Sequence, residues 1–594
     1  MMVPGSGIPR SWSAPGPHGR RTLHRSPVLW VPLALASLAP WLVEASTVPS
    51  DTTRVKLRSV AFMIQSVASL ALIGARYGRS AGLSQIRVGP WYLLWTGVSL
   101  GLMTMTWHAS LLGARSQIDS AAVARALAVA SVALLCWTAG YLLGPGADAL
   151  AVARGLATAA VRGAEFRVRN AAVPWVLCGI SVVARGLQIA LGQYAYLGDA
   201  SALVSSSSAY AQPLTQLGSC GLLGLLVAAV ALAREGGRRW TLTFDVLLAV
   251  ELAFALVGGM KGVFVTTVGA TFVTFAVARG RLPVRWIVVA TALLLLVIVP
   301  YNAAYRTQVR STAGPMSGRA AVLLAPSVLA HSVTGAVGTL TRAVGTVTDA
   351  ISTGAAGTGG VTSASDSADS ADSADSADSA DSGESSWRYL ADRTGAVDSL
   401  AIVLARTPDT VPYHSASELL FSPVRTLIPR ALWPGKPLRI TGYDFKQEYL
   451  AGDARVYSSA AVSPQADLYR YGGLLPLLIG MTLLGAGYRL VDEAWHPAVD
   501  LRYVVLFGPL LPRMLGSETS VVDLLAALPI QLAVLFAVAT YAFGGADSGP
   551  RRPGGRPGAG VRGTGARPRP DPPPATAPEA TSRPTIKVAP PGRR

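Results

Sequence analysis

The sequence predicts an all-α polytopic integral membrane protein with about 12 transmembrane helices and one large extracytoplasmic loop. Three observations carry that prediction. Of 594 residues, 51% are hydrophobic and only 14% are charged, against about 25% charged in soluble domains. Apolar runs of about 20 residues, long enough for a helix to cross hydrocarbon, recur along most of the chain. Arginines gather in alternate connections between those runs, following the positive-inside bias of cytoplasmic loops. The net charge of +18 thus bears on topology. With no basic helix carrying interleaved aromatics, no nucleic-acid partner is expected.

Residues 1–26 are rich in Pro, Gly and Arg and read as a disordered cytoplasmic tail. Nine spans fill 27–305, at roughly 27–43, 59–76, 90–112, 122–144, 171–192, 213–233, 241–259, 262–279 and 284–304. The pair at 241–279 is divided only by GGMKG and reads as a tight hairpin. Three more, at 472–490, 501–516 and 519–543, fill 472–543. The runs at 59–76 and 501–516 are the weakest. With the N-terminal arginines inside, alternation also places Arg76, Arg79 and Arg87 inside, and likewise Arg234, Arg238 and Arg239. The outside connection 193–212 has no Lys or Arg. One connection disagrees: 44–58 falls outside yet holds Arg54, Lys56 and Arg58. The basic, Pro-rich segment 544–594 reads as a second disordered cytoplasmic tail, so both termini lie inside. Basic residues ahead of an apolar run ending near VEA also resemble a signal peptide. Its cleavage would leave everything downstream on the same side.

The alternation leaves 306–471 as the large extracytoplasmic loop. Residues 318–352 are weakly amphipathic and are expected to lie on the membrane surface as helices. The segment 353–386 holds five consecutive Ala-Asp-Ser triplets, 368–382. With regular negative charge and almost no large apolar side chain, it reads as a disordered spacer. Residues 387–471 mix aromatics, prolines and charges, a composition that can fold as a small cap. Cys136, Cys178 and Cys220 each sit in an apolar segment without a CxxC pair, so neither a disulfide framework nor a metal site is expected. No GxxxxGK[ST] or HExxH occurs, and no cofactor is called for.

Charges inside spans are costly and point to function. Arg185 stands in such a run and either binds substrate or snorkels to the outer interface. Lys261, in GGMKGVF, lies near the outer surface between two helices, as a phosphate ligand or an interface anchor. Arg306 and Arg310, in PYNAAYRTQVR, face one way if the helix continues. Two guanidiniums on one face suit a diphosphate; an aromatic and basic interfacial belt explains them as well. In LIPRALWPGKP, Leu427 to Pro437, prolines stiffen the backbone. Trp433 offers a flat apolar platform, flanked by Arg430 and Lys436.

That last stretch resembles the motif of bacterial oligosaccharide repeat-unit polymerases, the Wzy-like O-antigen and exopolysaccharide polymerase family. Other segments look similar to the same family: VGGMKGVFVTTVGATFVTFAVARGRLPVRWIVV, IVPYNAAYRTQVR, ADRTGAVDSLAIVLARTP and VSPQADLYRYGGLLPLLIGMTLLG. The resemblance runs over about 170–515 and is specific only around 387–437 and 463–480; the triplet spacer is not a family feature. It implies a GT-C-like glycosyltransferase of the bacterial cytoplasmic membrane. Such an enzyme joins polyprenyl-diphosphate-linked oligosaccharides on the outer face, alongside a flippase and a chain-length regulator. Arg430 and Arg393 would then steady the diphosphate leaving group without a metal. His414 is the nearest imidazole to act as base, with Glu418 four residues on and His331 elsewhere in the loop. An O-antigen-ligase-like transferase shares this donor and chemistry. A transporter of lipid-linked glycan is the reading from another class, though it calls for more mid-membrane polar groups.

Overall fold

The computed structural model describes residues 50–77, 87–108, 115, 117–160, 168, 170–194, 208–279, 284–311, 314–315, 318–354, 396–428, 433, 436, 441–450, 460–497, 499–516 and 520–543, with Val31 and Leu38. The helices are α1 (Asp51–Tyr77), α2 (Val88–Thr96), α3 (Ser120–Leu143), α4 (Ala147–Ala160), α5 (Val173–Ala190), α6 (Ser208–Gly218) and α7 (Cys220–Arg234). There follow α8 (Arg238–Val257), α9 (Lys261–Arg279), α10 (Val284–Leu293), α11 (Val299–Val309) and α12 (Gly318–Gly354). The C-terminal part holds α13 (Val397–Arg406), α14 (Ala416–Leu427), α15 (Thr441–Leu450), α16 (Pro464–Tyr469), α17 (Leu474–Ala494), α18 (Val504–Leu515) and α19 (Val521–Phe543). Among the described residues the only strands are the two-residue pair β1 (Arg310–Ser311) and β2 (Gly314–Pro315).

Ten of these helical segments are long and apolar enough to cross a membrane. This is an all-α, multi-pass membrane protein. The expected first span lies outside the described residues apart from Val31 and Leu38. The third is broken: α2 passes into a π-helical turn, Gly97–Gly101, and then a 3₁₀ turn, Leu102–Thr106. Such rewinding marks a helix held by its neighbours rather than by its own ladder. Gly97 and Gly101 lie hard against α1; a Cβ on Gly101 would stand 2.5 Å from Met63 Cγ. The eleventh is shorter than a full span, Leu501–Leu511. The hairpin at 241–279 forms as α8 and α9, split at Gly258–Met260.

Residues 318–352, expected as surface helices, instead belong to the single 37-residue helix α12, and its stretch Ala320–Gly338 is as apolar as the other spans. Ala321, Ala325 and Val328 pack on Tyr301, Tyr305 and Val309, so α12 folds back along α11. An amphipathic reading missed this because the face turned to α11 is made of small residues, which score as weakly apolar but allow close contact.

The tightest packing joins α3 and α17. A Cβ on Gly140 would come within 1.9 Å of the Thr482 carbonyl oxygen, and one on Gly485 within 2.1 Å of that of Trp137. Only glycine permits this backbone approach. At the far end of α17, Asp492 is buried and accepts Val88 N (2.6 Å), Gly89 N (2.9 Å) and the Tyr141 hydroxyl (2.7 Å). It thereby closes the N-terminus of α2, whose first N–H groups have no intrahelical partner. At the other end, Asp119 caps α3 through Ala122 N (2.7 Å). The chain after the spacer returns to this Asp119 end: Asp398 accepts Trp107 Nε1 (2.9 Å) and Arg115 Nε (2.8 Å).

Candidate functional site

Four segments meet at the Asp119 end. Helix α13 buries Leu400, Ala401, Ile402 and Val403, and its Ser399 Oγ lies 3.1 Å from Ser463 Oγ, the N-cap of α16. Past α13, Thr407 Oγ1 and the Tyr449 hydroxyl of α15 are 2.7 Å apart. His414 N then donates to the Arg470 carbonyl (2.8 Å), which pins the start of α14 to the end of α16. Between α16 and α17 the chain turns at Gly472 (φ +134) and Gly473 (φ +78), conformations that favour glycine. A Cβ on Gly473 would also meet the Tyr413 hydroxyl at 3.0 Å.

This framework gathers one imidazole, two carboxylates and one guanidinium. His414 Nε2 is 3.1 Å from Glu448 Oε2, and Nδ1 is 3.8 Å from Glu418 Oε2. Arg470 Nη2 is 3.9 Å from the same Glu448 oxygen. Arg470 is only 1% exposed, and its Nε and Nη1 make no hydrogen bond among the described residues. Its guanidinium lies 5.6 Å from the Phe445 ring centroid and 5.8 Å from that of Tyr449. Two aromatic faces and one long ionic contact replace water poorly for a buried cation. Unsatisfied buried donors are rare enough to call for a reason. Burial pushes the Tyr469 phenol up to about 12 and raises that of Tyr449, so both remain neutral hydroxyls at neutral pH. The set can hold an anion on Arg470 and move a proton through His414, whose ring Glu448 orients.

The residues expected to form a site fall in several places. Arg393 and Arg430 lie outside the described residues, as do the side chains of Lys261, the first residue of α9, and Arg310. Arg310 stands in β1, beyond the end of α11 at Val309, so the one-face spacing with Arg306 does not arise. Arg306 Nε donates to the Gly259 carbonyl (2.8 Å). Tyr301 and Tyr305 donate to those of Leu256 and Val257, both at 3.0 Å. Together they satisfy the open carbonyls at the C-terminus of α8. Arg185 forms a bidentate pair with Glu251, at 3.0 and 2.9 Å. Trp433 is partly exposed, and Lys436 Nζ donates to the Ile428 carbonyl (3.0 Å) at the end of α14. Of the expected residues, His414 is the one seen within the cluster.

Arg470, Glu448 and Glu251 were not singled out from sequence. Arg470 had a local signal, a cation among tyrosines before a Gly-Gly turn; so did Glu251, a carboxylate deep in an apolar run that also holds Asp245. Glu448 had none, since its role depends on packing against residues 34 and 22 positions away. The pentapeptide GVSLG, Gly97–Gly101, spells the GxSxG pattern, but it is a π-helical turn within a helical run rather than a strand-to-helix elbow. Among the described residues no group of His, Cys, Asp and Glu is arranged to hold a metal ion. Residues 346–494 match the family described as a domain of unknown function (DUF8712), a segment that contains His414, Glu418, Glu448, Arg470 and all of α17. No curated protein and no solved structure matches the chain.

Proposed function

We propose that the protein is a membrane glycosyltransferase that polymerises polyprenyl-diphosphate-linked oligosaccharide repeat units at the outer face of a bacterial cytoplasmic membrane. The single observation that most supports this reading is the His414–Glu448–Arg470 cluster at the Asp119 end of an apolar bundle. A sugar hydroxyl of one carrier-linked chain attacks the anomeric carbon of another. The hydroxyl proton passes to His414 Nδ1, while Nε2–H donates to Glu448. The bond from the anomeric carbon to the diphosphate oxygen breaks, and polyprenyl diphosphate leaves with its charge held by arginine. Arg470 joins Arg393 and Arg430 as a holder of that charge; Trp433 and Lys436 contact sugar. In this reading Arg87, Arg154, Arg489 and Arg502 lie on the cytoplasmic side, as the positive-inside bias favours, whereas Arg54, Lys56, Arg58 and Arg115 at the Asp119 end depart from it.

The test is size analysis of exported glycan in a deletion strain, complemented with the wild type or with Arg393→Ala or Arg430→Ala. Loss or shortening of glycan on deletion, unrestored by either variant although both insert in the membrane, is the expected result. Glycan of unchanged length and amount after deletion overturns the reading. Long carrier-linked chains left unattached would instead mark a ligase.

A further inference from the structure

Helix α14 carries an apolar face that none of the described residues covers. Leu420, Phe421, Val424 and Leu427 are 72, 56, 53 and 54% exposed, and their spacing puts them on one side of the helix. The opposite side is protein-bound: Leu419 joins the main core and Ser422 is buried. Half-buried Glu418 and Arg425 border the apolar face. A soluble cap that left four such side chains together in water would carry an association liability.

The neighbours of α14 identify what covers this face. Its N-terminal lead is tied to the start of α17 through His414 N and the Arg470 carbonyl and through Tyr413 beside Gly473. From that point α17, a span by length and composition, exposes Leu475, Ile479 and Leu483 at helical spacing. Thr441, just beyond the loop that follows α14, bonds Asp523 at the start of α19, another such span (2.8 Å). The uncovered face of α14 is thus continuous with surfaces that belong in hydrocarbon. Partly exposed Tyr413 and Trp433 flank it, the residue types that gather at a membrane–water boundary.

We infer that α14 is a leaflet-embedded interfacial helix whose Leu420–Leu427 face lies among the acyl chains of the bilayer. The helix then holds His414, Glu448 and Arg470 at headgroup depth, and an amphiphile with an anionic headgroup reaches them sideways from the leaflet. This placement is independent of sugar transfer.

The experiment uses the full chain with Cys136, Cys178 and Cys220 replaced by alanine. Single cysteines at Leu420, Phe421 or Val424 carry an environment-sensitive fluorophore, in nanodiscs with spin-labelled lipid. Labels on Ile479 and Asp409 serve as lipid-facing and water-facing references. The expected result is a loss of fluorescence at the α14 positions matching that at Ile479, with no response to aqueous iodide. Quenching by iodide with a lipid response like that of Asp409 overturns the inference. So does shielding from both quenchers with cross-linking between two copies, which would make the face a dimer contact. Should the cysteine-free chain fail to fold, a photoactivatable phospholipid applied to the unmodified protein reads the same point. Labelling of the peptide spanning 416–427 supports the inference, and labelling confined to the ten spans overturns it.

Discussion

Two arginine–glutamate pairs with a buried guanidinium differ in how completely they are closed. Arg185 and Glu251 meet through two parallel hydrogen bonds of 3.0 and 2.9 Å within the span bundle, with the Phe254 ring 5.1 Å from the guanidinium. Gly221 makes room for them, since a Cβ there would fall 2.0 Å from Glu251 Oε1. Arg470 is buried as deeply, yet it touches Glu448 only at 3.9 Å, and that carboxylate oxygen is shared with His414. The first pair has its bonding directions filled by its own partner, as a lock between helices requires. The second leaves Nε and Nη1 of Arg470 without a hydrogen bond among the described residues, which suits the proposed grip on an anion.

Breaking the closed pair should have the largest effect. Glu251→Ala strands a buried cation and should cost about 3–5 kcal/mol of stability, whereas replacing both partners with Met should cost far less. Thermal unfolding in detergent distinguishes these, and equal losses in the single and double variants would show that the pair is not a lock. Next comes the open pair. Arg470→Ala should leave the unfolding temperature near that of the wild type while lowering glycan transfer about 10²- to 10³-fold, the loss typical of one group that stabilises developing charge. His414→Ala should fall at the lower end of a general base's contribution, about 10²-fold. Strong destabilisation by Arg470→Ala, with transfer intact per folded molecule, would place Arg470 among the locks. The smallest effect belongs to the turn that brings α16 to α17. Gly473→Ala forces a side chain into positive φ against Tyr413 and should cost about 1–3 kcal/mol. The melting temperature reads that loss, and an unchanged value would mean that the turn relaxes freely.

Much of the bundle was legible because crossing a membrane is a property of consecutive residues. Runs such as 122–144 and 213–233 announce themselves by composition, and the GGMKG break between α8 and α9 is equally local. Where the sequence signal was weak or incomplete, the cause is packing. The weak run at 59–76 is a span as expected, the core of the long helix α1, and its buried Ser59, Gln65, Ser66 and Ser69 lower its hydropathy while facing other helices. The third span is interrupted because glycines press it against α1, and sequence alone does not say where a neighbour will press. The backbone partner of Arg306, the Gly259 carbonyl, lies 47 residues upstream and is invisible to a local reading.

By itself, then, the amino-acid sequence determined that this chain is helical and membrane-spanning, and roughly where its spans fall. Each of those follows from sums over neighbouring residues: apolar length, charge placement, turn-forming glycine and proline. Only the tertiary structure decided which charges are spent on holding helices together and which remain open. Arg185 and Arg470 look equivalent as lone arginines beside apolar runs. What separates them is whether a carboxylate from another helix arrives with both oxygens in reach, and hydrogen-bond geometry of that kind is set by packing across tens of residues.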